Sequence, residues 1–482
     1  MPARGVTVYS PARRVSRTTG DSAHAAASGS ASAAPSTATR TSPIRRATVA
    51  RMENTSRFLE ARRSRLAAAW ALRDEVVLIP AGDPVPVPGG ADQTYPFLAH
   101  SEYVWLTDRE TPGGVVAFDP AEGWVDFVPE TTEAERVWEG RGDAPGTPLS
   151  GLDAWLAARA GRTTVQLGAS LPNAGGTDAR ALELREAMLH ARRPKDALEL
   201  DRLWAACAAS AAGYAHVAPL IRAGVTERAL QIELEAAFFR AGADRTGYGT
   251  IVGSGPHAGV LHFEPGPRVV RPGDTVLIDA GAEVRRYTAD YTRTYRAPGG
   301  DPGFFRDLYQ VVLDVEQRAV ARCRRGVEWR EVHLGACRDT AAGLVALGLL
   351  RGDPDALVER DAHAMFFPHG LGHLVGLGVR DASGFMPGRT RSTRPGLSML
   401  RTDLPLEPDY VITVEPGVYF IPALLCDPER RRTFADCVAW DRIDGLLEFG
   451  GIRIEDNVRI TASDPEVLTA AVPKTLESAL LG

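Results

Sequence analysis

The sequence predicts an α/β protein built from more than one domain. Three observations carry that prediction. The 482 residues suffice for two or three separate cores. Their composition, 44% hydrophobic and 24% charged, is that of an ordinary globular chain. From Phe58 onward, short apolar runs closed by Pro and Gly alternate with longer stretches of helical period, the pattern of strands interleaved with helices.

Residues 1–54 precede that pattern. Up to residue 51 they hold eight arginines and one acid, Asp21, among Ala, Ser and Thr. Such a composition cannot bury enough apolar surface to order itself, and it lacks the apolar core of a secretory signal. It reads as a disordered extension, or as upstream sequence translated ahead of a true start at Met52; an Arg- and Ser-rich transit peptide is the alternative.

A first α/β domain is expected over 55–190. Ala61–Arg73 reads as a helix. Val76–Ile79 reads as a buried strand stopped by Pro80-Ala81-Gly82. Tyr103–Leu106, Val115–Phe118 and Trp124–Val128 read as further strands, and Gly151–Arg162 as a helix. A charged helical stretch, Leu182–Arg202, broken at Pro194, leads into a second domain over 191–470. There Ala205–Ala241 forms two amphipathic helices broken at Ala223-Gly224, the second capped by Thr226. Strands follow through Ile251, at Val276–Ile278 and at Tyr291–Tyr295, then helices over Phe304–Arg325 and Val332–Leu350, a strand-rich stretch, and a tail over 471–482.

Several functional classes fall away. A net charge of -6 and a pI near 6.0 give no general attraction to nucleic acid or to an anionic membrane, and no apolar run approaches the ~20 residues of a membrane span. Five cysteines without a CxxC pair point to a reducing, cytoplasmic setting with no disulfide framework. Lys195 and Lys474 are the only lysines, beside 53 arginines. Neither lies where Schiff-base chemistry or a phosphate loop needs one. No GxSxG elbow is present, and Gly253-Ser254-Gly255 lacks the third glycine of a dinucleotide fingerprint.

Four segments far apart carry metal-binding residue types: Leu277–Asp290 (LIDAGAEVRRYTAD), His369–His373 (HGLGH), Ile412–Gly417 (ITVEPG) and Gly450–Asp456 (GGIRIED). Together they offer Asp279, Asp290, His373, Glu415 and Glu455, four carboxylates and one imidazole. Most sit in or beside apolar strands, where a carboxylate is rare unless paired or coordinating. An oxygen-rich set of this kind favours hard or borderline divalent ions. A hairpin with Arg285-Arg286 at its turn pairs 284 with 287 and 279 with 292. Asp290 then lies diagonally across from Asp279 on one face, with the Thr292 hydroxyl pointing into the same pocket. Glu415 ends the strand Val411–Val414 ahead of Pro416-Gly417. Arg453 and Glu455 share a face while Ile452 and Ile454 turn to the core.

With DAGAE…TADYTRTY, HGLGH, TVEPGVYF and GGIRIEDN in that order and spacing, residues 55–465 resemble the pita-bread metallopeptidases, the Xaa-Pro dipeptidases (prolidases) and aminopeptidases P. Tyr95-Pro96-Phe97, Ser101–Thr107 and Glu133–Arg141 are similar to the N-terminal domain of the same proteins. The resemblance implies a duplicated catalytic domain with two divalent ions and a homodimer acting on small peptides. Asp279 and Asp290 would bind one ion, Asp290 and Glu455 bridge to the second, and His373 and Glu415 complete it. A metal-bridging hydroxide would be the nucleophile, with Glu415 accepting its proton. Manganese is the favoured ion, with cobalt, zinc or iron as alternatives. His262 matches a residue near the scissile bond. His369 lines the cleft or orients a neighbour. Tyr248 matches an aromatic at the pocket edge, and Arg453 is placed with the substrate contacts. Arg401 falls where prolidases bind the free C-terminal carboxylate, which favours dipeptides over longer peptides. The chain departs from the family at Val379-Arg380-Asp381, where a histidine usually stands. Arginine cannot shuttle protons, though it can stabilise an oxyanion or a carboxylate. The rival readings are an aminopeptidase P on longer peptides, a non-catalytic peptide-binding relative, and a metal-free creatinase-like hydrolase.

Overall fold

In the computed structural model of the protein the described residues are 43–170 and 179–481. The chain divides into two units, Met1–Arg51 and Met52–Gly482, and the second carries both α/β domains. The reading of residues 1–54 as a disordered extension lies outside the described residues up to residue 42, while residues 43–54 fall in the first helix. Helix α1 spans Pro43–Trp70, starting earlier than the sequence pattern suggested.

The first domain is a five-stranded mixed sheet in the order β4-β3-β2-β1-β5, made of β1 (Val76–Pro80), β2 (Val115–Asp119), β3 (Gly123–Val128), β4 (Thr147–Pro148) and β5 (Thr164–Gln166). Helices α2 (Ser101–Thr107), α3 (Glu133–Glu139) and α4 (Leu152–Ala157) lie between its strands. Tyr103–Leu106, expected as a strand, belongs to α2. Its four apolar side chains are all buried, so the run carries no helical period to distinguish it from a strand. Its ends are marked instead by the His100 side chain, which accepts from the Glu102 N–H, and by Asp108 in the left-handed region with φ 56.

Helices α5 (Ala179–Arg192) and α6 (Ala197–Val217) flank the break at Pro194, and α7 (Glu227–Arg240) follows. Asp196 and Glu199 cap α6 reciprocally, and the Thr226 side chain accepts from Ala229 N at the start of α7. The strands that follow are β6 (Arg245–Thr246), β7 (Ile251–Ser254), β8 (Thr275–Asp279), β9 (Ala282–Val284), β10 (Tyr287–Thr288) and β11 (Thr292–Arg296). The motif then repeats. Helices α8 (Gly303–Arg322) and α9 (Trp329–Ala346) precede β12 (Val411–Val414), β13 (Gly417–Tyr419), β14 (Gly451–Arg453), β15 (Asp456–Arg459) and β16 (Glu466–Val467).

Each helix pair covers its own sheet. Leu203, Tyr214, Leu234 and Phe238 pack with Val276, Ile278 and Tyr291 in one core. Leu308, Val312, Trp329 and Ala336 pack with Ile412, Val414, Ile452 and Ile454 in the other. The two sheets meet where Thr292 bridges to Glu455, so the cavity described next lies at the seam of a duplicated domain. No helix among the described residues is long and apolar enough to cross a membrane.

Candidate metal centre

The hairpin register is the one its sequence predicts: Tyr287 pairs with Val284 and Thr292 with Asp279. Arg285 and Arg286 at its tip both take the left-handed region, with φ 52 and 72, as a two-residue hairpin turn demands. Neighbours hold these two side-chain-bearing residues there. Arg285 N donates to Asp244 Oδ2 at 2.6 Å, and the Arg286 guanidinium pairs with Glu110 of the first domain. Behind the tip, a Cβ at Gly281 would lie 1.7 Å from Ala289 O. Only glycine lets the two arms close enough to bring Asp290 beside Asp279.

Asp279, Asp290 and Glu455 converge, each offering a carboxylate oxygen within 4.8 Å of the others. Glu455 Oε2 accepts from Thr292 Oγ1 at 2.7 Å. That hydroxyl, expected to point into the pocket, is fully buried behind the carboxylates and also accepts from Arg453 Nε at 3.1 Å. Tyr248 Oη lies 2.7 Å from Asp279 Oδ1 and 2.5 Å from Asp290 Oδ1, so its one proton serves two carboxylates. Arg453 Nη2 donates to Asp279 Oδ2 at 2.6 Å, and its Nη1 to Tyr419 Oη at 2.9 Å. Tyr248 and Arg453, read from sequence as substrate contacts, thus touch the carboxylates directly while also lining the cavity.

Across the seam, His373 follows Gly372, whose added Cβ would meet Thr413 O at 1.9 Å. Glycine there lets the segment lie against β12. Thr413 N donates to His373 O, and His373 N to Thr413 Oγ1. The ring Nδ1 sits 3.2 Å from Leu374 O, which fixes that nitrogen as the donor and leaves Nε2 as an acceptor. Nε2 faces Asp290 Oδ2 at 3.5 Å and Glu415 Oε1 at 3.8 Å, beyond hydrogen-bond reach. His369 Nε2 is 2.9 Å from Tyr419 Oη, and its Nδ1 lies near Gly370 O at 2.9 Å and Glu415 Oε2 at 3.9 Å.

Electrostatics report the same crowding. Burial, reinforced by Asp279, holds the Asp290 carboxyl well above the usual range. Burial, with Asp290 and Glu415 nearby, does the same to Glu455. Glu415 is pushed up to about 7, chiefly by burial. Burial lowers His369 and His373 to about 3, assisted by Arg453 at His369 and by Arg380 at His373. Four carboxyl groups and a neutral imidazole therefore face one another, with Arg453 ion-paired to Asp279 among them. Converging carboxyl and imidazole lone pairs in this buried site, where the ionised forms of the other carboxyl groups lack a compensating cation among the described residues, suit divalent cations.

A cavity of about 780 Å³ opens over this cluster, and all eleven residues singled out from the sequence line it. His262 and Arg380 are exposed at its mouth, and Arg401 is half-buried. Among the described residues neither Arg380 nor Arg401 has an ion-pair partner, although Arg380 is close enough to lower the Arg401 pKa behind the effect of burial. Three buried groups escaped the sequence reading. Tyr419 links His369 to Arg453. Thr413 holds His373. Asn457 Oδ1 accepts from Asp290 N at 2.9 Å, and its Nδ2 donates to Asp290 O at 2.7 Å. No local pattern marked Asn457, which lies in the mostly polar strand Asp456–Arg459; only its burial against Asp290 shows its part.

Comparison with known proteins agrees with this architecture. Residues 201–462 match the model of metallopeptidase family M24, and residues 59–149 match the aminopeptidase P N-terminal domain. The Xaa-Pro dipeptidase of Xanthomonas campestris pv. campestris is 33% identical over 403 residues, 79% of this chain and 89% of that protein. Aminopeptidase PepP of Pseudomonas aeruginosa superposes with a TM-score of 0.72 at 27% identity, over 87% of this chain and 97% of that one. Aminopeptidase P of Escherichia coli, in complex with the inhibitor Pro-Leu, gives 0.70 at 27% identity over 88% and 97%.

Proposed function

The chain belongs to metallopeptidase family M24, and from that premise we propose that it hydrolyses the Xaa-Pro bond of dipeptides with two divalent ions held by Asp279, Asp290, His373, Glu415 and Glu455. The supporting observation is the set of acceptors on His373, Asp290 and Glu415 that face one another across 3.5 and 3.8 Å, next to the Asp279–Asp290–Glu455 cluster. Asp279 and Asp290 would hold one ion, Asp290 and Glu455 both, and His373 and Glu415 the second. Four carboxylates to one imidazole favour manganese, with cobalt, zinc and iron as alternatives. Ions bound there would supply Lewis acidity and lower the pKa of water.

The chain's own groups do the rest. Glu415 takes a proton from the attacking water as its oxygen adds to the carbonyl carbon, and returns it to the proline nitrogen as the C–N bond breaks. His262 and His369, which line the cleft, would flank the reacting bond. Arg453 and Tyr248 fix the Asp279 and Asp290 carboxylates. Arg401, with Arg380 beside it, supplies guanidinium donors free to take the C-terminal carboxylate of a dipeptide. The same reading carries a cytoplasmic homodimer, from the resemblance and from cysteines that are all unpaired.

Aminopeptidase P activity on longer peptides is the second reading, favoured by the structural neighbours. One comparison decides: rates on an Xaa-Pro dipeptide and on its C-terminally extended tripeptide, after chelation, with and without Mn²⁺. Restoration by Mn²⁺ with the dipeptide preferred is the expected result. A tripeptide preference selects the second reading, and activity indifferent to chelation overturns both.

A further inference from the structure

Lys474 sits in the C-terminal segment, past the end of the family match, yet its ammonium reaches the back of the metal centre. Lys474 Nζ donates to both oxygens of Glu316, at 2.6 and 2.7 Å, and to Asp456 Oδ2. Both carboxylates are fully buried. Asp456 is the next residue after Glu455, and by strand alternation it points the opposite way. Its other oxygen accepts from Arg293 Nη2 at 2.8 Å and from Thr469 Oγ1 at 2.6 Å.

Arg293 completes the link. Its Nη1 donates to Glu455 O at 2.6 Å and to Thr292 O at 2.9 Å, the two residues that bridge the halves of the domain. Its Nη2 also donates to Val472 O at 2.8 Å, and Tyr309 Oη donates to Lys474 O at 3.0 Å. The backbone at Glu455 is therefore held from behind by Arg293, and Arg293 and Lys474 together hold the Asp456 side chain, with Lys474 tying it to Glu316.

The choice of residue fits this geometry. The chain uses arginine almost everywhere, with two lysines against 53 arginines. A compact ammonium with three donors can serve three carboxylate oxygens around one nitrogen; a planar guanidinium cannot. The other lysine is placed in a parallel way. Lys195 Nζ lies 3.1 Å from the buried Asp381 Oδ2, the residue that follows Arg380.

We propose that Lys474 is a positioning residue for the metal centre: by pinning Asp456 it fixes the main chain of Glu455, and so the site's affinity for a divalent cation. The proposal rests on the metal-binding reading above. Two variants of the full-length chain test it, Lys474→Met and the double variant Glu316→Gln/Lys474→Met, each titrated with Mn²⁺ alone after chelation and assayed on an Xaa-Pro dipeptide. The double variant removes one buried anion together with the cation, so it recovers thermal stability that Lys474→Met loses. Both variants are expected to bind Mn²⁺ about 10–100-fold more weakly than wild type, with kcat lowered and KM unchanged at saturating Mn²⁺. A folded double variant that binds Mn²⁺ as wild type does would overturn the proposal, leaving Lys474 as a counter-ion to Glu316 alone. Wild-type chain that binds no Mn²⁺ would instead overturn the metal reading, and this proposal with it.

Discussion

His373 Nε2 stands 3.5 Å from Asp290 Oδ2 although the two residues come from opposite halves of the duplicated domain. Each belongs to a turn of chain that glycine alone permits, Gly372 beside one and Gly281 beside the other. Neither group has a donor aimed at the other. The arrangement is that of ligands sharing an ion, and it sets what removing either should do. Asp290→Asn keeps the volume and the Asn457 contacts to the main chain but removes the charge. It is expected to abolish the rise in melting temperature that saturating Mn²⁺ gives the wild type, a stabilisation of about 2.7 kcal/mol at a hundredfold excess over Kd. A full Mn²⁺-dependent shift in this variant, followed by scanning calorimetry, would remove Asp290 from the site.

Tyr248 touches Asp279 and Asp290 rather than only the cavity edge. Tyr248→Phe is therefore expected to lower kcat about tenfold or more with little change in KM, as loss of a group that orients ligands does. Steady-state kinetics on an Xaa-Pro dipeptide checks this. A rise in KM with kcat intact would return Tyr248 to a direct substrate contact.

Arg401 and Arg380 line the cavity, and among the described residues neither has a carboxylate partner. Arg401→Ala is expected to raise KM for an Xaa-Pro dipeptide about tenfold or more, the range of a lost charge-assisted hydrogen bond, and to change KM for an Xaa-Pro-Yaa tripeptide far less. Equal effects on both would detach Arg401 from the carboxylate. Arg380→His introduces the histidine that the family resemblance leads one to expect there. A gain of several orders of magnitude would show that the natural chain is impaired, whereas the account expects a modest change in efficiency or specificity.

Stability should depend on pH through the first domain. The buried Asp119 carboxyl is held well below its ordinary value, first by a hydrogen bond from Arg162, with Ala121 N and Arg159 adding. A depressed folded-state pKa contributes stability that is present above the unfolded value, about 4, and is lost as pH falls through the folded value. Asp119→Asn removes the carboxylate that Arg159 and Arg162 share, while each guanidinium keeps a second partner, Glu122 or Asp74, and is expected to cost about 1–3 kcal/mol near neutral pH. The gap from wild type should narrow steadily below about pH 4. Chemical denaturation at pH 7 and pH 3 tests it, and a gap that is constant or widens toward acid would contradict the assignment.

Much of the site was legible because strands and tight turns impose it. The Asp279–Thr292 register follows from a two-residue turn and period-two alternation, and the burial of Ile452 and Ile454 fixes the face of Arg453 and Glu455. What stayed hidden depends on contacts between distant segments. The Tyr103–Leu106 helix is buried on all sides and so has no readable period. The Thr292 hydroxyl turned to Glu455 because the two sheets meet there, which no local pattern encodes. Tyr419, Thr413 and Asn457 serve the site through partners far along the chain, and Lys474 does so from what read as a plain tail.

Calorimetric titration of the chelator-stripped, full-length chain with Mn²⁺ tests the central claim most directly. The account predicts saturable binding of about two ions per chain with release of protons, lost when His373→Ala and Asp290→Asn are combined. A wild-type chain that shows no saturable uptake of Mn²⁺, Co²⁺ or Zn²⁺, or that hydrolyses Xaa-Pro dipeptides equally well in excess chelator, would contradict it.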